Sequence, residues 1–285
     1  MRNRLVFFFV FFVCCPVNAF TQIKEFTAAG IEKTFAKVND TLHASRYETS
    51  NLEYNIFLSE IAKKDSNLYK EYSVDSLRWL ETPYIEAMVK HYHRHQGFSD
   101  YPVVCVSYES VIAYCNWLSE IYNNDKGRKY KKVSFVLPSE KEWELAAKGT
   151  NKNAIYAWGT NSIRDTRKNW QGVFMANFFH FGDAGTVTDS SGNNPVLKPE
   201  VVPDIPDTGL RDMSFYTAQV ASFFPNSLGI YNQSGNVAEM TSQKGLTKGG
   251  SWHSLGGEIT IAYRLYFYEP SAEVGFRVFM KIIEP

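Results

Sequence analysis

The chain has 285 residues, 44% hydrophobic and 15% aromatic, enough to bury a full core in one domain with insertions and too apolar for a disordered or fibrous protein. Thirty basic residues balance thirty acidic ones, which argues against nucleic acid or an acidic membrane surface as a partner. The opening residues, MRNRLVFFFVFFVCCPVNAF, set Arg2 and Arg4 ahead of an apolar run from Leu5 to about Val17 and end on Val17-Asn18-Ala19. That is the layout of a secretory signal, residues 1–19, cleaved after Ala19. Its removal leaves 28 basic against 30 acidic residues, a net charge of −2. The run is short for a membrane span and no second one follows, so an exported product without a transmembrane segment is expected, periplasmic or at the cell surface. Lipid attachment through Cys14 or Cys15 is the alternative, although Phe11-Phe12-Val13 lacks the small residue usual in lipoprotein signals.

Beyond the signal only Cys105 and Cys115 remain, too few for a disulfide framework. Cys105 is expected to end a strand and Cys115 to lie in the third turn of the next helix, too far apart to bridge, so both read as core thiols.

Residues 20–34 form a polar lead, and 35–285 the domain proper. Weak alternation from Phe35 to Val38 and from His43 to Tyr47 predicts short strands, after which Thr49 or Ser50 caps a helix with Tyr54, Phe57 and Ile61 on one side. The charged residues 63–81 predict one more helix, part of an insertion spanning about 63–85. His91, His93 and His95 would share one face of a strand, where they either bind zinc or copper or simply lead into a buried strand; Arg94 and the lack of nearby carboxylates favour the second. Val103 to Val106 predicts that buried strand. Ser107 then caps a helix with Val111, Tyr114, Leu118 and Ile121 at helical spacing. Ser139 and Glu142 form a capping box for another, whose Trp143, Leu145 and Ala146 face the core. Residues 178–210, rich in Gly, Asp, Ser and Pro, make a second insertion, and a loop that long is functional or mobile.

The stretch from Phe223 to Glu239, FFPNSLGIYNQSGNVAE, mixes Asn and Gly with isolated apolar residues, so its backbone must turn repeatedly and use positive φ. Asn232, Gly235, Val237 and Glu239 alternate along it and can turn oxygens toward one point. That arrangement suits calcium; an irregular loop without an ion is the other reading.

Several short motifs stand in a fixed order. GIYNQSGNVAEMTS, KGGSW, Ala262-Tyr263-Arg264 and GFRV at Gly275 to Val278 follow YETSNLEYNIFL near Tyr47, YPVVCVSYESVIAYCNWL from Tyr101, LPSEKEWELAAKG from Leu137, YAWG at Tyr156 and Ala176-Asn177. Over roughly Phe35 to Met280 the chain resembles the sulfatase-modifying-factor family, the formylglycine-generating-enzyme domain. The resemblance implies an α+β, C-type-lectin-like fold with few regular elements and much ordered loop. It also implies one or two structural calcium ions, at Asn177, Phe178, Asp212 and Ser214 and at Asn232, Gly235, Val237 and Glu239. Arg264 and Arg277 are expected to be buried structural arginines. Val136 stands where the family has Arg, Ala238-Glu239-Met240 where it has Trp-Glu-Trp, and Gln243 where it has Asp.

Formylglycine generation needs two cysteines whose thiolates bind copper(I). Those positions fall on Gly256 and Ile261, so no copper is expected, and Ser-His-Asp order, P-loop and HExxH are all missing. Glu109 and His253 are possible bases without a partner legible in sequence. The expectation is therefore a non-catalytic pseudoenzyme. It resembles the gliding-motility and type IX secretion members of the family and acts as a binding or scaffold component of the bacterial cell envelope. An envelope protein or glycan would dock on residues 178–210 and the surface near Gly256. The alternatives are a periplasmic oxidoreductase of the siderophore-chromophore-maturation type and, less favoured, a formylglycine-generating oxidase.

Overall fold

Local signals account for most of the helices in the computed structural model, which describes residues 26–82, 86–169, 171–179 and 216–285 and the backbone of 184–187 and 196–199. The expected signal segment, Asp212 and Ser214 lie outside these residues. Thr27 caps a helix that the sequence did not announce, α1 (Ala28–Lys33), and the Ala28 amide donates to Asp125 Oδ2 at 2.7 Å. Strands β1 (Phe35–Lys37) and β2 (Leu42–Ser45) follow. Ser50 and Glu53 then close a capping box at the start of α2 (Asn51–Lys64), whose Tyr54, Phe57 and Leu58 are buried.

Where one further helix was expected there are two shorter segments. Asp65 leaves the helical region at φ −153° and caps α3 (Ser66–Tyr72) with its own carboxylate, and a 3₁₀ turn spans Ser76–Glu81. The histidine run is not a strand either. His91 ends α4 (Glu86–His91), its ring meets His95 edge-on at 6.2 Å, and His93 turns inward, with Nδ1 3.0 Å from Asn51 Oδ1.

Val103 to Val106 is buried but belongs to no ladder. The Val103 amide donates to Thr49 O and the Cys105 amide to Ser271 O, both in loops, while Cys105 sits at φ +59°, outside the β region. Ser107 caps α5 (Tyr108–Asn124), with Cys115 in its third turn. Strand β3 (Lys132–Val136) leads to α6 (Glu140–Lys148), where Trp143, Ala146 and Ala147 are buried; Leu145, expected inside, is 46% exposed because it falls outside the arc those three define. Within the second insertion β4 (Ala184–Val187) pairs antiparallel with β5 (Val196–Pro199), so that segment is not structureless throughout.

Strands β6 (Ala238–Met240), β7 (Leu246–Lys248), β8 (Leu265–Tyr266), β9 (Val274–Gly275) and β10 (Phe279–Glu284) complete the chain. One sheet has the order β1-β2-β10-β3, all antiparallel, so the last strand lies between β2 and β3 and closes the domain on itself. The other has the order β8-β7-β6-β9, with β6 and β9 parallel. Between α2, α5 and the strands sits an aromatic core. The Phe57 ring lies 5.5 Å from both Tyr114 and Trp117, and Tyr114 lies 5.4 Å from Phe276. Such pairs contribute about 0.5–1.5 kcal/mol each beyond the area they bury. The fold is thus α+β with much ordered loop.

Candidate cation site at the Asn232 turn

The turn-rich stretch does what its composition requires. Asn226 holds it from inside, accepting from the Leu228 and Ile230 amides at 2.9 and 3.1 Å while its Nδ2 donates to Ala146 O at 2.8 Å. Asn232, Gly235 and Asn236 all adopt left-handed backbone, at φ +56°, +81° and +68°. At Gly235 a side chain is also excluded by space, since a β-carbon there would stand 2.3 Å from Asn177 O. The next amide, Asn236 N, donates to that same carbonyl at 2.7 Å.

This close approach brings the two predicted ligand sets together. Asn177 packs on the Gly235-Asn236 turn and donates from Nδ2 to Tyr216 O at 2.8 Å, which leaves Asn177 Oδ1 buried and without a hydrogen-bond partner among the described residues. A buried acceptor without a donor is costly, and a cation ligated by that oxygen would relieve it. Asn177 therefore fits the ligand role. Phe178 follows it, also buried, while the other two of that set, Asp212 and Ser214, are outside the described residues.

In the second set Asn232 and Glu239 part company. Glu239 turns into the core, where its carboxylate accepts from Trp143 Nε1 at 2.7 Å and from Arg277 at 3.0 Å through Nε and 2.6 Å through Nη2. A cation on that carboxylate would meet the guanidinium, so the Glu239 side chain does not fit a ligand role. Val237 buries its side chain among Trp79, Cys105 and Trp252, leaving only its main chain to face the turn. The carboxylate that does reach Asn232 belongs to Glu48, only 1% exposed. Its Oε2 accepts from Asn232 Nδ2 at 3.0 Å, and both its oxygens accept from Asn236 Nδ2 at 3.0 Å. Burial pushes the Glu48 carboxyl up to about 8, partly opposed by Arg277 and reinforced by Glu239. Gln219 O and Val220 O approach the same Asn232 amide at 3.4 and 3.2 Å. An acid between Tyr47 and a helix cap was the available sequence signal for Glu48. Its meaning lay in a contact 184 residues away.

The positions assigned to the copper-binding thiolates hold no sulfur. Gly256 sits beside Phe178 and Ile163 and accepts the Tyr156 hydroxyl on its carbonyl at 3.1 Å. Ile261 is buried in an apolar cluster with Trp143, Ala154 and Ala157. The two thiols lie in separate clusters, Cys105 with Trp79 and Tyr92 and Cys115 with Tyr114 and Leu118. Burial raises both, Cys115 to about 12, so neither is a thiolate at neutral pH. Arg277 is the buried structural arginine expected. Arg264 is not: it is exposed and grips Glu140 with two hydrogen bonds of 2.6 and 2.7 Å. The possible bases do have partners, His253 Nδ1 lying 3.2 Å from Glu273 and Glu109 2.5 Å from Lys244 Nζ. Among the described residues no group of three or more His, Cys, Asp or Glu side chains is placed to hold a metal, which leaves amide and main-chain oxygens with Glu48 as the donors at this turn.

Residues 33–282 match the sulfatase-modifying factor enzyme 1-like domain family. The chain belongs to this family. Among curated relatives, the formylglycine-generating enzyme of Mus musculus is 28% identical over 144 residues, half of this chain and 27% of that protein. The enzyme of Thermomonospora curvata is 31% identical over 143 residues, 49% of this chain and 32% of its own length. The inactive C-alpha-formylglycine-generating enzyme 2 of Bos taurus is 40% identical over 76 residues, 26% of this chain and 20% of that one. The chain thus spans a third or less of the curated relatives it matches. Among solved structures, PvdO from Pseudomonas aeruginosa aligns over 84% of this chain and 80% of its own at 20% identity and a TM-score of 0.51, and CarF over 85% and 86% at 20% and 0.50. These likenesses show that the fold of the sulfatase-modifying-factor family is shared. Among the described residues no helix is long and apolar enough to cross a membrane.

Proposed function

We propose that this member of the sulfatase-modifying-factor family is an exported, non-catalytic domain that binds a protein or glycan partner as a scaffold component of the bacterial cell envelope. The observation that carries the proposal is the state of its sulfur. Beyond the leader the chain has only Cys105 and Cys115, both buried in separate clusters and both raised by burial. Copper(I) capture by a thiolate pair has no residues to use. What the chain keeps is the frame: the Glu239–Arg277 pair, the left-handed Asn232 turn and the Asn177 oxygen that has no partner among the described residues.

Calcium is the ion this frame suits, with Asn177 and Phe178 joined by Asp212 and Ser214 in one set, and Asn232, Gly235 and Val237 joined by Glu48 in the other. Its chemistry there is structural, neutralising a buried carboxylate and tying three loops together. The test is to supply the purified protein with copper(I), oxygen and a cysteine-containing peptide of the sulfatase type. No aldehyde should form; turnover above a no-protein control would overturn the proposal.

A further inference from the structure

A second surface carries chemistry that the cation site does not use. Glu109, at the start of α5, and Lys244, between β6 and β7, meet at the mouth of a cleft of about 270 Å³. Its floor includes Val106, Met240 and Phe267, and its rim carries Tyr268 and Glu269. Tyr268 is 70% exposed, and its ring lies against Gly245, where a β-carbon would stand 2.3 Å from the ring. Gly245 has φ +89°, so both conformation and contact call for glycine. The ring is supported on one side by bare backbone and left open to solvent.

Several main-chain groups around the cleft are committed within the fold. Leu246 N donates to Gln243 O, Thr241 N to Leu246 O and Phe267 N to Gly245 O, at 3.0, 3.2 and 2.9 Å, and Ser242 O accepts the Tyr108 hydroxyl at 2.8 Å. A peptide that adds a strand needs free main-chain partners, which these groups do not offer, whereas the Glu109, Lys244, Tyr268 and Glu269 side chains stand exposed at the rim. The charged rim is nearly balanced: Glu109 faces Lys244, and Glu269 lies 3.6 Å from Arg78. A strongly charged ligand gains little from it. What remains is a supported aromatic face with carboxylate acceptors and an ammonium donor at its edge, over an apolar floor.

We propose that this cleft binds a neutral saccharide, its apolar ring face stacked on Tyr268 and its hydroxyls bonded by Glu109, Lys244 and Glu269. The proposal rests on the binding-domain reading and narrows its partner to a glycan. The copper and metal measurements do not touch this cleft, so failure here leaves that reading standing.

The test titrates the full secreted chain with neutral oligosaccharides, namely maltopentaose, cellopentaose, xylopentaose and chitotetraose, by calorimetry and saturation-transfer NMR. At least one should bind with Kd below about 1 mM, weakened about tenfold or more by Tyr268→Ala and by Gly245→Val and unchanged by Tyr266→Ala, another exposed tyrosine outside the cleft. Tyr268→Ala removes an exposed ring, so it keeps the test decisive even if Gly245→Val does not fold. Absence of binding by all four probes overturns the proposal, as does binding that Tyr268→Ala leaves intact or that Tyr266→Ala weakens equally.

Discussion

Replacing Arg277 with Leu should be the most damaging single change in the frame. The guanidinium is fully buried and makes three hydrogen bonds to Glu239, one to Ser45 O at 3.0 Å and one to Tyr231 O at 2.7 Å. Leucine leaves the Glu239 carboxylate in the core with Trp143 as its one side-chain donor among the described residues, and breaking a buried pair in this way costs about 3–5 kcal/mol. Each orphaned carbonyl adds about 1–3 kcal/mol unless water reaches it. A loss of at least about 4 kcal/mol follows, or about 8–16 °C in Tm for a domain of this size. Urea unfolding followed by tryptophan fluorescence measures it, and replacing both Arg277 and Glu239 with apolar residues should cost less than the two single changes together. A loss below about 1 kcal/mol for Arg277→Leu would show instead that the broken pair leaves no uncompensated charge in the core.

Glu48 gives a pH signature. Its folded carboxyl is raised to about 8 from an ordinary 4.5, so between those values the folded state holds a proton that the unfolded state has lost. Stability of the calcium-free protein should therefore fall as pH rises through that window, and the fall should vanish in Glu48→Gln. His93 works in the other direction. Burial lowers it to about 3, so stability is lost as pH drops from 6.5 toward 3, and comparing wild type with His93→Gln isolates that slope. Cys105 and Cys115 should resist a thiol reagent at pH 8 in the native protein and react fully in denaturant; rapid labelling of the native state would show that burial does not hold them.

Much of this was legible in the sequence where the cause is local. Ser50, Ser107 and Ser139 cap the helices expected of them, since a hydroxyl three residues from its amide partner needs no distant help. The positive φ at Asn232, Gly235 and Asn236 followed from residue type. Long-range contacts were another matter. Val103 to Val106 has the apolar run of a strand, but whether its amides meet a ladder or the loops at Thr49 and Ser271 depends on how the ends of the chain return. The histidine run suggested period two, whereas His93 alone is drawn inward by Asn51. That Arg277 would stand against Glu239, and Asn232 against Glu48, could not be read before the structure placed them.

The proposed function calls for calcium in the frame and no copper, and a metal inventory decides both. Protein beginning at Phe20 would be analysed by elemental mass spectrometry and melted with and without a calcium chelator. The expected result is about one or two calcium ions per chain, copper and iron below stoichiometry, and a lower Tm after chelation, because an ion that binds only the folded state stabilises it. Stoichiometric copper or iron, or a Tm indifferent to chelation, would contradict it.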